Sequence, residues 1–174
     1  MILAVDVGFV ATGVALMARE GAGWRAAMVA CISAPPDPRK RKLLVAHQDA
    51  ARVAHIARRL RDIVRNYGVK RIVVELPHGG AQGARANRCM GMATAMIVAL
   101  AECEGLAAEY YTPMDTRTAA VPGARKVSKD EVAAAMSKRW PGVVPQAPRE
   151  VREAVADALA TFAAAESGNL VRSL

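Results

Sequence analysis

Apolar runs and periodicities divide this chain into alternating elements. Residues 1–7 hold a continuous run, Ile2-Leu3-Ala4-Val5, that reads as a buried strand. Thr12 to Met17 and Trp24 to Ile32 read as a second and a third strand, with Gly21 and Gly23 marking the turn between them. Such short connections make the three an antiparallel meander. Ser33 to Pro38 contains three prolines and reads as a rigid loop. From about Lys40 to Asn66 the apolar positions Leu44, Ala51, Val53, Ala54, Ile56, Leu60 and Ile63 keep helical spacing, and Gly68 stops the helix. Ile72 to Glu75 is a short β-branched strand whose apolar continuity predicts a central parallel position. A loop over 76–87 with Pro77, Gly79, Gly80 and Gly83 leads to a helix from about Arg88 to Glu104. Leu106 to Tyr111 reads as a fifth strand.

Thr112 and Pro113 then start a short helix that ends near Ala120. Ser128 caps the next helix, with Glu131 three residues on as a capping box, and the helix ends near Trp140. After a proline-rich break over 141–148, the last helix runs from about Arg149 to Ala165. No internal repeat or long linker interrupts the pattern. Three antiparallel strands followed by alternating helices and parallel strands predict an α/β fold: a mixed five-stranded sheet flanked by helices.

Length and composition add bounds. With 174 residues, 53% of them hydrophobic, the chain is expected to be one domain over 1–174 with a full core. A net charge of +8 favours a nucleic-acid or anionic-membrane partner over a merely solvated basic surface. The N-terminus lacks a basic lead-in, and Asp6 interrupts its apolar run, so no signal peptide is expected. The stretch from Met90 to Ala101 is too short to span a bilayer. A cytoplasmic protein with no membrane partner follows. Cys31, Cys89 and Cys103 show no C-x-x-C spacing, so buried free thiols are expected rather than a zinc site or disulfides. No pattern calls for a small-molecule cofactor.

The candidate chemistry lies in acids. Asp6 ends the first apolar run, Glu75 ends the run Ile72-Val73-Val74, and Asp157 sits in the alanine-rich last helix. An acid at the end of a buried strand is costly unless something pairs with it. Two such ends and a helix bringing a third acid suggest a shared site for Mg²⁺ or Mn²⁺. A pair of ions held by such acids supplies an activated water and stabilises a leaving 3′ oxygen, with no protein nucleophile. Glu153 lies four residues before Asp157, so a metal role competes with that of a solvated helix acid paired to Arg149 or Arg152. Gly8 lets backbone approach a ligand. His47, His55 and His78 form no H-x-x-x-H pair, and no G-x-S-x-G elbow is present.

These residues resemble the RuvC family of Holliday junction resolvases, members of the RNase H-like superfamily. Asp6-Val7-Gly8-Phe9-Val10-Ala11-Thr12-Gly13 looks like the family's opening D-P-G-x-x-x-T-G, with Val7 in place of the proline. Ile72-Val73-Val74-Glu75 looks like its second acidic strand, and Tyr111-Thr112-Pro113 with Arg117 like the stretch leading to a DNA contact. Lys129-Asp130-Glu131-Val132 is similar to its K-x-x-V helix start, and Ala156-Asp157-Ala158-Leu159-Ala160 to its final A-D-A-L-A. The pieces hold their order from residue 1 to about 165. The resemblance implies an RNase H-like fold, two divalent ions per site, and a homodimer that presents two sites to a four-way DNA junction. It implies Lys129 near the cleaved phosphate, and His78 at the position of an aromatic wedge. The family usually has another acid three residues before its last aspartate. That position is Ala154, and Glu153 is the candidate substitute.

Bases surround the acids. Arg85 and Arg88 flank the glycine-rich loop, while Arg117, Arg125, Lys126 and Lys129 cluster before a capped helix start that suits phosphate. Arg39-Lys40-Arg41-Lys42 either holds a junction arm or flanks a helix start. The reading is therefore a metal-dependent endonuclease for four-way or related branched DNA. Its rivals are a non-catalytic module binding branched nucleic acid, motivated by Ala154, and a nuclease for flaps or forks.

Overall fold

A computed structural model describes residues 1–34, 44–77, 83–124 and 126–173. Its strands are β1 (Ile2–Asp6), β2 (Ala11–Glu20), β3 (Gly23–Ser33), β4 (Arg71–Glu75) and β5 (Ala107–Tyr111). They form one sheet in the order β3-β2-β1-β4-β5. β1 to β3 are antiparallel neighbours, and β4 lies parallel to both β1 and β5. This is the mixed topology expected from the sequence, with β4 central.

The helices are α1 (Val45–Asn66), α2 (Ala84–Cys103), α3 (Pro113–Ala120), α4 (Lys129–Arg139), α5 (Arg149–Ala165) and α6 (Asn169–Arg172). Alternation along the strands divides the core between two layers. Ile2, Ala4 and Val73 pack with α4 and α5, whereas Leu3, Val5, Ile72 and Val74 pack with α1 and α2. The inner strands are thus buried on both faces, which is why they read as continuous apolar runs.

Four elements depart from expectation. α1 begins at Val45, later than the expected start near Lys40, with Leu44 (φ −55°, ψ 141°) as its non-helical N-cap. β2 continues past Met17 to Glu20, because backbone pairing with β3 runs on through Arg19–Trp24 and Glu20–Gly23 where the side chains turn polar. α2 begins at Ala84, ahead of Arg88, with Gly83 at positive φ before it. Alanine favours that extra turn. α6 has only four residues and no periodicity to read; Glu109 holds it by accepting the Leu170 N–H at 3.0 Å. Of the cysteines, Cys89 is buried, Cys31 partly so and Cys103 exposed at the end of α2, so the expectation of buried thiols holds in full only for Cys89. No helix among the described residues is long and apolar enough to cross a membrane.

α5 sets the site. Its alanines let it lie close on the sheet, and Gly13 of β2 leaves room for it. A Cβ on Gly13 would stand 1.8 Å from the Ala154 carbonyl oxygen.

Candidate active site

The two strand acids are register partners. Asp6 lies opposite Glu75 on one side and Gly13 on the other, and Gly13 lies opposite Cys31. One row across the sheet therefore reads Glu75, Asp6, Gly13, Cys31. β1, β3, β4 and β5 run the same way, so their carboxyl ends share this edge, and α1, α2 and α3 start from it. Helix N-termini carry partial positive charge, so the topology surrounds the acids with favourable dipoles.

The opening motif has an internal logic. A Cβ on Gly8 would meet the Ala11 carbonyl oxygen at 1.9 Å, and the Thr12 hydroxyl donates to the Gly8 carbonyl at 2.9 Å. Gly8 thus lets the β1–β2 loop close on itself. Gly13 then admits α5. The spacing D-x-G-x-x-x-T-G fixes an acid, a tight loop and a helix crossing together.

Asp157 lies one turn beyond Ala154 on α5. It accepts from the Lys129 ammonium at 3.0 Å, and Glu153 is 3.7 Å from the same nitrogen. Lys129 is the first residue of α4, whose start is held by the expected capping box: Ser128 N–H donates to Glu131 at 2.8 Å. On the far side, the Thr116 hydroxyl donates to Glu75 at 2.6 Å.

Electrostatics link the acids. Burial first, then Glu75 and Asp157, push the Asp6 carboxyl well above the usual carboxylate range, while Lys129 opposes them. Burial likewise raises Glu75; Thr116 pulls it back, Asp157 adds to the rise, and Arg117 and Lys129 counter it. Burial works against the charge on Lys129, but Asp157, Asp6 and Glu153 outweigh it and hold the ammonium above its ordinary range. Glu153 is lowered, chiefly by its hydrogen bond from Arg149 and also by Lys129.

Asp6, Glu75, Asp157 and Lys129 are thus one interacting group. Glu153 joins it through Lys129, but it is engaged by Arg149, the i,i+4 partner that helical spacing suggested. Among the described residues, no three His, Cys, Asp or Glu side chains close round one point tightly enough to hold an ion as they stand. The donor set nevertheless suits Mg²⁺ or Mn²⁺: hard carboxylate oxygens whose mutual repulsion only a cation relieves. Lys129 contributes one such positive charge.

The predicted bases divide. Arg117 and Lys126 line a groove of about 960 Å³ beside α3, together with Thr118 and Met114, which is 78% exposed. Arg85 and Arg88 both bind the buried Asp49 of α1. His78, Arg125 and the run 39–42 lie outside the described residues. Sequence reasoning missed Thr116 and Asp49, whose partners stand 41 residues and 36 to 40 residues away, beyond any local pattern.

The sequence model of the family "Crossover junction endodeoxyribonuclease RuvC" matches residues 2–164. The chain belongs to the RuvC family. Two solved structures share its fold. "Thermus thermophilus RuvC structure" is 23% identical with a TM-score of 0.68, and the match covers 96% of each chain. "T. thermophilus RuvC in complex with Holliday junction substrate" is 20% identical with a TM-score of 0.68, covering 94% of this chain and 90% of that one. No curated protein sequence matches the chain. The RuvC assignment makes this chain a member of a family of junction-cutting endonucleases and agrees with the mixed sheet and its acidic edge.

A pH dependence follows for the RuvC-family site. Asp6 and Glu75 have raised native values, so in the window above about pH 4 these two groups hold more protons in the folded chain than in the unfolded one. Their contribution to stability is therefore full below that window and is lost as pH rises through the native values. With chelator present, the wild-type melting midpoint should fall across this window relative to that of Asp6→Asn, and Mg²⁺ should reverse the fall. A difference between the two midpoints that does not change with pH would show that Asp6 is not strained by burial and repulsion.

Proposed function

We propose that this RuvC-family chain, as one nuclease domain, resolves four-way DNA junctions by divalent-metal-dependent hydrolysis of phosphodiester bonds. The observation that carries the reading is the electrostatic convergence of Asp6, Glu75 and Asp157 at one sheet edge, with Lys129 among them. Asp6, Glu75 and Asp157 would hold Mg²⁺ or Mn²⁺, two ions in the family pattern, and Glu153 borders them. Bound ions supply Lewis-acid activation of water and stabilise the leaving oxygen. The chain's own groups do the rest. Thr116 orients Glu75, and the capping box orients Lys129. Lys129 moves from Asp157 to the negative charge developing at the cleaved phosphate. Arg117 and Lys126 bind the backbone in their groove, Arg85 and Arg88 contact DNA near the start of α2, and His78 is a further DNA contact.

The solved relative named for its Holliday junction complex supports a branched substrate. The outer face of α2 supports a homodimer: Met90, Gly91, Thr94, Ala95 and Val98 line a shallow, mainly apolar hollow of about 610 Å³. We place its action on DNA in the cytoplasm.

The test is product mapping on labelled four-way junction, fork and flap DNA with Mg²⁺ or Mn²⁺. Symmetric nicks in the junction support the reading. Preferential cutting of flaps or forks replaces its substrate, and tight junction binding with no cutting in either metal leaves a binding module. In the same assay Lys129→Met should lower the cleavage rate by about 10²–10³-fold, without abolishing DNA binding. An unchanged rate would remove Lys129 from the chemistry.

A further inference from the structure

Asp49 is a wholly buried carboxylate near the start of α1. A buried charge is expensive unless its hydrogen bonds are met. Here Arg85 donates from Nε at 3.3 Å and from its terminal nitrogen at 2.8 Å, Arg88 donates at 2.7 Å, and the Cys89 thiol lies at 3.7 Å. The Arg85 bond, the largest influence, outweighs burial and with Arg88 holds the Asp49 carboxyl down at about 2. It stays ionised at any working pH.

The two arginines are not buried with it. Their side chains remain 56% and 49% exposed. They are three residues apart on α2 and so share one face. One anion against two guanidiniums leaves a positive charge, and each guanidinium has five N–H donors, more than Asp49 takes up. The cluster lies at the edge where β4 delivers Glu75 and α2 begins. α2 has no side-chain N-cap, so its first backbone N–H groups add to the local positive potential.

A contrast at the other end of the same helix pair is informative. Arg65 of α1 reaches Glu104, just past α2, at 2.8 and 3.0 Å. That ion pair also joins the helices, but its acid keeps 12% exposure where Asp49 has none, and a single arginine hydrogen-bonds it.

We infer that Asp49 is a positioning residue: it holds Arg85 and Arg88 as a fixed two-guanidinium clamp for a phosphate of the bound DNA backbone. This rests on the nuclease reading above. Arginine forks suit phosphate because two parallel N–H bonds match two oxygens. Unheld, both side chains would lose rotamer freedom on binding.

The experiment compares Asp49→Asn with wild type in the full chain, with Arg65→Ala as the structural control. Charge and positioning predict opposite signs. Asp49→Asn removes a negative charge, so long-range electrostatics alone would tighten binding to all DNA. Positioning predicts that junction affinity weakens by about tenfold, and that the salt dependence becomes shallower by about one to two phosphate contacts. In cleavage, the loss falls on KM rather than kcat. Arg85→Ala made on top of Asp49→Asn costs much less than in wild type. Arg65→Ala lowers the melting temperature and leaves junction affinity alone. Equal or tighter junction binding by Asp49→Asn, with an unchanged salt slope, overturns the inference while the nuclease reading stands. If Asp49→Asn does not fold, the double variant Arg85→Ala/Arg88→Ala decides: unchanged affinity and slope overturn the clamp. A wild type that neither binds nor cuts junctions sinks the nuclease reading, and the clamp with it.

Discussion

Asp6→Asn should leave four-way junctions bound but uncut, with cleavage reduced by about three orders of magnitude. Asn keeps the shape of the side chain and removes its charge. The strand end is already settled by backbone pairing, since Asp6 sits in register with both Glu75 and Gly13. The fold therefore has no need of the carboxylate. It is in fact better off without it, because burial and two neighbouring acids disfavour the ionised form. The variant should melt above wild type in chelator at pH 8, by about 2–4 °C for each kcal/mol of strain removed. Mg²⁺ should raise the wild-type midpoint and leave the variant's unchanged, because an amide is a poor replacement for a bridging carboxylate. Calorimetric melts with and without Mg²⁺, beside gel-shift and cleavage assays, test all three statements. Full cutting by the variant in Mg²⁺ would remove Asp6 from the site.

Gly13→Ala should be the most damaging conservative change in the chain. The added methyl would lie 1.8 Å from the Ala154 oxygen and 2.5 Å from its carbonyl carbon. Both are backbone atoms, so no rotamer change relieves the clash, and α5 must lift from the sheet. That helix carries Val155, Leu159 and Phe162 into the core, and lifting it opens the layer they fill. Overpacking of this kind costs about 3 kcal/mol or more, which is about 6–12 °C in melting temperature for a chain of this size. The same movement carries Asp157 away from Lys129 and Asp6. Whatever fraction still folds should have lost both its Mg²⁺ response and its cutting. A variant with wild-type melting and cleavage would mean that α5 can ride higher without consequence, contrary to the packing seen here.

These two residues also show why the opening motif was readable. Asp6, Gly8, Thr12 and Gly13 act within eight consecutive positions, so their spacing is visible along the chain. Ala154 is the other half of that contact. As a missing acid it looked like a deficit. Against Gly13 it is a packing residue, and Glu153 beside it is held by Arg149 and Lys129.

Hydrophobic periodicity, turn residues and capping signals determined the order and type of the main elements, and the apolar continuity of residues 72–74 determined that their strand is central. Those signals are local, set by backbone preferences and burial within a few residues. Only tertiary structure decided that Thr116 orients Glu75, that Lys129 stands among the acids, and that Arg85 and Arg88 grip a buried Asp49. Each of these depends on a partner 28 to 41 residues distant. A hydrogen bond between such groups has no period along the chain; the packing of α1, α4 and α5 on the sheet creates it.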